Sequence, residues 1–490
     1  MKTYLKWTLL LSFLMNFQAW SSWKGITKKK ILSKEALCNK KLYPATGKGS
    51  PLLKSILRRV GAHIVMGTVP PMQVFTTGNT VSRRAFRNGE DIFSMAQEMI
   101  KYARKEVLIQ TFMYHKGSKS VKAMVDGLES LQAQLKKEKA KTPVQVKILI
   151  DNQTGFFGWL EVKPDGLFKS HKGKDPYKIG LPTKLDPKYI QLEVKLYNHS
   201  MLGANHSKTI VVDRSKAIIT GANMWPDHEG KVPNESDHGF MVMGQVALAL
   251  THEFSFGWGK GTHFSGNSDN STPLAANKLV PFKLPKIAEK WAKGRAIETN
   301  IPIMVVTRQA VNNPLKRNAQ NPQNVAFETL FEQAKSHINI ISPNVNAAPV
   351  VKALGEALSR GVNVNILISR NYQDEVGMVP MQGGTNLKVV KKLHKIRDGL
   401  FKKNPKSTGN LDIRWYVSRS GEVSYKHTHA THTKFLSVDN QVVLVGSANL
   451  DTQSWYHSRE ANILIDDHDV AKKWCQQVFK TDFLRGQRYK

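Results

Sequence analysis

Along the first half of the chain the apolar positions switch between two periods. Between residues 91 and 104, Ile92, Met95, Met99 and Ile100 recur three and four residues apart, which predicts a helix with one buried face. Residues 107–114 read as a strand, 120–137 return to helical spacing, and 144–150 and 192–197 are again strands. The second half repeats this order. Residues 325–336 are helical, 338–341 a strand, 348–360 a helix stopped at Gly361, and 362–368 and 411–416 are strands. Strands alternating with helices predict a mainly parallel sheet with helices on its faces. The expected fold class is α/β: two similar lobes, each a mainly parallel or mixed β-sheet flanked by helices, packed face to face around one shared site.

This pattern divides the chain into five stretches. Residues 1–22 have the form of an export signal, with Lys2 and Lys6 before an apolar run from Trp7 to Phe17 and small residues at Ala19 and Ser21. That run is shorter than the roughly 20 residues of a spanning helix. Residues 23–70 are a basic lead-in with little regular structure, 71–256 the first lobe, 257–290 a Gly-, Ser-, Asn- and Pro-rich connector, and 291–490 the second lobe. The expected destination is the periplasm or the exterior, with membrane association. Two cysteines, Cys38 and Cys475, could pair in such a compartment and tie the two ends together.

Charge narrows the partners. Among 490 residues, 72 Lys and Arg stand against 38 Asp and Glu, a net charge of +34. Such a surface attracts polyanions, which means anionic lipid or nucleic acid, and charge alone does not choose between them. No obligate protein partner is expected.

The chemistry lies in a motif written twice. His206-Ser-Lys208 is followed by Asp213 and then by Thr220-Gly221-Ala222-Asn223; His432-Thr-Lys434 is followed by Asp439 and then by Gly446-Ser447-Ala448-Asn449. The spacing is identical in both copies. In a strand, residues two apart share a face, so each His and Lys point together, while each Asp has the opposite parity and reads as a partner behind its histidine. Lysines neutralise the non-bridging oxygens of a phosphodiester, and imidazoles attack phosphorus or carry protons at neutral pH. A rival reading takes His427, His429 and His432 as metal ligands, but Thr431 stands where such hydrolases need Asp.

The duplicated His-x-Lys-x(4)-Asp with its trailing Asn resembles the signature of the phospholipase D superfamily, over roughly residues 85–480. The second copy matches fully, and Asp451, Ser454 and Glu460 fit its continuation. The first copy has Thr220-Gly221 in place of Gly-Ser, and His238 falls near the position of the missing Glu. The resemblance implies catalytic roles for His206, Lys208, Asp213, His432, Lys434 and Asp439, phosphate binding by Asn223, Ser447 and Asn449, support from Glu460, and no metal or other cofactor. It further implies a covalent phosphohistidine on one of the two histidines; His206 is taken as nucleophile and His432 as acid and base, with the reverse assignment as the alternative. The expected activity is a phospholipid phosphodiesterase or phosphatidyltransferase, of phospholipase D or cardiolipin synthase type. The alternatives are a metal-independent nuclease and a catalytically inactive protein that binds membrane or polyanion. Work on lipid predicts apolar side chains at the mouth of the groove, for which Phe156, Phe157 and Trp159 are candidates.

Overall fold

The computed structural model describes residues 49–152, 180, 185–197, 199, 202–229, 235–266, 297–313, 315–317 and 319–489. The export signal, Cys38, the loop holding Phe156, Phe157 and Trp159, and most of the connector lie outside the described residues. Both halves fall in one compact unit that runs to Lys490.

The chain enters through helix α1 (Pro51–Gly61), capped by the Ser50 hydroxyl, which accepts the Leu53 N–H at 3.1 Å. Its buried face, Leu53, Ile56, Leu57 and Val60, makes the second part of the expected lead-in an ordered element. It is packed through an Arg59–Glu332 ion pair onto a helix of the second half. Strand β1 (Phe75–Ser82), the short β2 (Phe86–Arg87) and helix α2 (Asn88–Lys101) follow.

The first lobe then builds three parallel strands, β3 (Glu106–Thr111), β4 (Val144–Asp151) and β5 (Ile190–Tyr197). Helix α3 (Lys119–Lys137) crosses over between β3 and β4; Ser118 caps its start and Lys136 and Lys137 suit the negative end of its dipole. Antiparallel β6 (Thr209–Val212), β7 (Lys216–Thr220) and β8 (His238–Met243) continue the sheet from the β3 edge. Helix α4 (Gln245–Trp258) extends into the expected connector, and β9 (Gly261–Gly266) adds to the free edge of β5.

The second lobe repeats the plan. After β10 (Ile297–Arg308) and helix α5 (Pro322–Gln333) come parallel β11 (His337–Ser342), β12 (Asn363–Ile368) and β13 (Leu411–Trp415), with helices α6 (Ala348–Ser359) and α7 (Asn386–Lys403) in the crossovers. Antiparallel β14 (Phe435–Val438), β15 (Val442–Gly446) and β16 (Glu460–Asp466) extend it, and β17 (Gln487–Arg488) closes the β13 edge.

The two half-sheets are also joined. β1 pairs with β8 of the first lobe, β10 pairs with β16 of the second, and β1 and β10 pair antiparallel with each other from Phe75↔Met304 to Ser82↔Ile297. The result is one mixed α/β molecule with a continuous sheet flanked by helices and a near two-fold relation between its halves. Trp474 and Phe240, 4.5 Å apart between ring centres, and Val305, Val306, Ile463 and Ile465 fill the core at this seam. Among the described residues no helix is long and apolar enough to cross a membrane. Cys475 is a buried thiol that receives a hydrogen bond from Asn339 Nδ2 at 3.6 Å; no disulfide is seen among the described residues, and Cys38, its possible partner, lies outside them.

Candidate active site

Both His-x-Lys segments lie just ahead of a strand, β6 or β14, at the end of each lobe where the parallel strands finish. Each is stitched to the other lobe by its backbone. The His206 N–H donates to the Arg459 carbonyl at 2.9 Å, and the Arg459 N–H donates to the Ala204 carbonyl at 2.7 Å. The His432 N–H donates to the Ser236 carbonyl at 2.7 Å, and the Ser236 N–H returns to Ala430 at 2.8 Å. These paired crossings bring the two motifs to one place.

They also cross the carboxylates. His206 Nδ1 lies 2.9 Å from Glu460 Oε1 of the second lobe, and His432 Nδ1 lies 2.8 Å from Asp237 Oδ2 of the first. Glu460 opens β16, and Asp237 immediately precedes β8, its counterpart in the first lobe. With Nδ1 engaged by a carboxylate, each ring keeps Nε2 for chemistry. Lys208 Nζ donates to the His206 carbonyl at 2.7 Å, and Lys434 Nζ lies 2.7 Å from His432 Nδ1. All six side chains are buried.

The field in this cluster follows from that burial. Desolvation lowers the His206 pKa, Glu460 opposes the shift and Lys208 adds to it. His432 is lowered further, by burial and then by Lys434 and His228. Burial brings Lys208 down to about 7 and Lys434 to about 8, against the pull of nearby carboxylates. Burial would raise Glu460, but the His206 and Lys208 charges hold it below its ordinary value.

Asp213 and Asp439 are not part of this cluster. Asp213 and Arg214 have φ of 54° and 56°, Asp439 and Asn440 of 53° and 52°, the left-handed pair of a type I′ turn between β6 and β7 and between β14 and β15. The Asp213 carboxylate accepts the backbone N–H groups of Arg104, Lys105 and Glu106 at 2.7–3.1 Å. Asp439 accepts those of Lys335, Ser336 and His337 at 2.8–3.0 Å. At strand rise this lies on the order of 20 Å from the histidines. The expectation that each Asp backs its histidine is therefore corrected: its place recurs because the same hairpin is built twice. Asp439→Ala should cost about 1–3 kcal/mol of stability, read from thermal unfolding, and leave kcat of the folded protein unchanged.

Ser447 is also placed differently from its expected phosphate-binding role. Its hydroxyl donates to Glu460 Oε2, and Ser454 donates to Glu460 Oε1 at 2.7 Å, so both hold the carboxylate from behind. At the matching points of the first lobe stand Gly221 and His228. A Cβ on Gly221 would meet Asp237 Oδ1 at 2.5 Å and Lys434 Cδ at 2.8 Å, which explains why no serine stands there. His228 stacks edge-on against His432 with ring centres 4.6 Å apart, and Tyr372 and His427 pack beyond, 4.6 Å from each other. Glu235 receives His427 Nδ1 at 2.8 Å and is brought to about 2 by His228, His427 and His432 against its burial.

Asn223 and Asn449 occupy matching positions with different partners. Asn223 Oδ1 accepts the Met113 N–H at 3.3 Å and its Nδ2 faces His228 Nε2 at 3.2 Å. Asn449 Nδ2 donates to Asp451 at 3.0 Å, and its Oδ1 is buried without a hydrogen-bond partner. An open cavity reaches His206 here, lined by Phe112, Asn344, Gln373, Asn449, Gln453 and neighbouring side chains. The histidine run at 427–432 does not assemble as a metal centre: His427 turns to Glu235 and His429 toward Ser420. Candidate ligand atoms of His228, Asp237 and His432 do lie within 4.8 Å of one another. The Lys434 ammonium 2.7 Å from His432 Nδ1 sets a positive charge against an ion there.

Sequence reasoning missed Asp237, His228, Glu235 and Tyr372. The signal for Asp237 was present: it precedes an apolar strand as Glu460 opens one, but with three more residues between it and the motif Asn.

The geometry agrees with comparisons to known proteins. A family profile described as "Cardiolipin synthase, PLD-like domain" matches residues 327–483. A cardiolipin synthase of Clostridium perfringens is 25% identical over 403 residues, 80% of this chain and 70% of that protein. The major cardiolipin synthase ClsA of Bacillus subtilis is 23% identical over 428 residues, 85% and 71% of the two chains. Among solved structures, a phosphatidylserine synthase of Haemophilus influenzae shares the fold with a TM-score of 0.53 at 14% identity, covering 84% of this chain and 90% of that one.

Proposed function

This chain belongs to the phospholipase D superfamily, and on that premise we propose that it is a phosphatidyltransferase, moving a phosphatidyl group from a phospholipid to an alcohol through a covalent phosphohistidine. The observation that carries the reading is the crossed pair of imidazoles, each held at Nδ1 by a carboxylate of the opposite lobe, with two buried lysines beside them.

In the first step, His206 Nε2 attacks phosphorus and the bond to the leaving alkoxide breaks. His432 Nε2–H gives that oxygen its proton, and Lys208 and Lys434 neutralise charge on the non-bridging oxygens. In the second step, an alcohol loses its proton to His432 and displaces His206. The assignment is supported by the cavity, which opens onto His206, and by the ionisable surroundings of His432, which suit proton exchange.

Three carboxamides with buried oxygens favour an alcohol at that cavity. Asn344 Nδ2 donates to the Tyr372 carbonyl at 2.9 Å, Asn449 Nδ2 to Asp451 at 3.0 Å and Gln453 Nε2 to Ser458 at 3.1 Å. Each amide is thereby fixed, and each oxygen is left without a donor. A phosphate diester offers these oxygens nothing, whereas hydroxyl groups do.

The test is incubation of the purified full chain with phosphatidylglycerol, phosphatidylcholine and plasmid DNA, each with EDTA, with His432→Ala as control. Lipid product that disappears in the variant supports the reading, and cleavage of DNA without lipid turnover sinks it. A second outcome follows from the lysines. Their charge is complete below the depressed pKa values and is lost as pH rises through about 7 for Lys208 and about 8 for Lys434. A plot of log kcat/KM against pH should therefore bend downward above about pH 7–8; a plateau reaching far into alkali would contradict it.

A further inference from the structure

The segment after β12 forms one wall of the cavity at His206, through Gln373, Gly377 and Gln382, and its outer side faces solvent. Between Gly377 and Gln382 it presents Met378, 66% exposed, and Met381, 53% exposed. Met381 holds a left-handed φ of 71°, and Gly383 and Gly384 follow at 85° and 97°, so the tip is a tight, outward bend. Arg317 donates to the Met381 carbonyl at 2.8 Å and lies 5.0 Å over the Tyr456 ring, fastening the tip to the segment that carries Leu315, 64% exposed. Of nine large apolar side chains exposed among the described residues, Leu315, Met378, Met381 and Leu387 belong to this neighbourhood.

Basic charge continues from it. Lys388 lines the same recess as Met378 and Met381. From there α7 carries Lys388, Lys391, Lys392 and Lys395 on its exposed side, three and four residues apart, above the buried Val389 and Leu393. Apolar side chains at a cavity mouth, backed by a lysine stripe, match the acyl boundary and the anionic headgroups of a bilayer.

We propose that the Met378–Met381 tip and the lysine face of α7 dock this protein on an anionic phospholipid bilayer, setting the cavity at His206 against the headgroup layer. The proposal rests on the phosphatidyl-transfer reading for its choice of surface. Phe156, Phe157 and Trp159, the apolar candidates from sequence, lie outside the described residues and are not needed for it.

The test is sedimentation of the full chain with phosphatidylglycerol vesicles and with phosphatidylcholine vesicles. Wild type should sediment with the anionic vesicles and far less with the neutral ones. Met378→Asp/Met381→Asp should weaken that binding about tenfold, whereas Leu484→Asp, which changes an exposed side chain near the C-terminus, should not. Lys391→Glu/Lys392→Glu should weaken it as well. Turnover of a short-chain phospholipid below its micellar concentration should stay at the wild-type value in the methionine variant, which shows that the fold and site are intact. Equal sedimentation of wild type and the methionine variant overturns the proposal, as does loss of duplex DNA binding in that variant with vesicle binding retained. Absence of turnover by wild type on the soluble lipid counts against the transferase reading instead, and leaves the sedimentation result to decide the docking surface.

Discussion

His206→Ala should lower phosphatidyl transfer by about 10⁴-fold or more, because it removes the atom that bonds to phosphorus and no neighbour can replace it. His432→Ala should lower transfer of natural lipid comparably, but for a different reason. Its first step lacks a proton for the leaving oxygen, and its second lacks a base for the incoming alcohol. An activated aryl phosphodiester needs no such proton, so with that substrate the His432→Ala protein should complete the first step and stop. Acid-stable mass analysis would not keep the adduct, since an N–P bond is acid-labile; mass measurement at alkaline pH should show one phosphoryl adduct per chain at His206. An adduct in His206→Ala instead would reverse the two roles, and no adduct in either variant would sink the covalent route.

The second large effect is expected at the crossed carboxylates. Glu460→Gln keeps the shape and removes the charge, and should lower kcat by about 10²–10⁴-fold. The carboxylate accepts from His206 Nδ1 at 2.9 Å, which keeps the Nε2 lone pair directed away from it. An amide can instead donate to Nδ1, which moves the ring proton to Nε2 and blocks attack. The hydroxyls of Ser447 and Ser454 also donate to Glu460, so the replacement loses fixed orientation as well as charge. Asp237→Asn should impair His432 in the same way with one difference: its surroundings contain His228 in place of a serine, and the acidic limb of its pH profile should shift with that neighbour. Kinetics across pH for the two variants would check this, and a Glu460→Gln protein with normal kcat would remove the orienting role.

Much of the site was legible because it is written in spacing. His206, Lys208, Asn223 and their second copies carry one pattern, and a strand's alternation already joins each His to its Lys. The fold class followed from the same repeat. Two residues show where that reading stops. Asp439 has the same spacing in both copies as the histidines do, yet it serves a hairpin turn; a repeated position reports a repeated element, whether or not the element does chemistry. Asp237 does the work of Glu460 but is one methylene shorter and three residues later, and a fixed template passes over it. That the partners cross between lobes is a property of the backbone bridges at Arg459 and Ser236, and no local pattern encodes them. The helix at 51–61 was hidden for another reason: its lysines and arginines coat an apolar stripe that faces the second lobe.

The seam between β1 and β10 has a mechanical consequence. Because backbone hydrogen bonds run without a break from one half into the other, this molecule has no clamshell axis along which its halves could swing apart to admit a long lipid. Opening there would break the pairing of β1 with β10 along with the apolar seam. Entry and exit must instead be governed by the segments that overhang the strand ends, so the pace of exchange should respond to changes in those coverings and stay indifferent to cross-links placed between the halves.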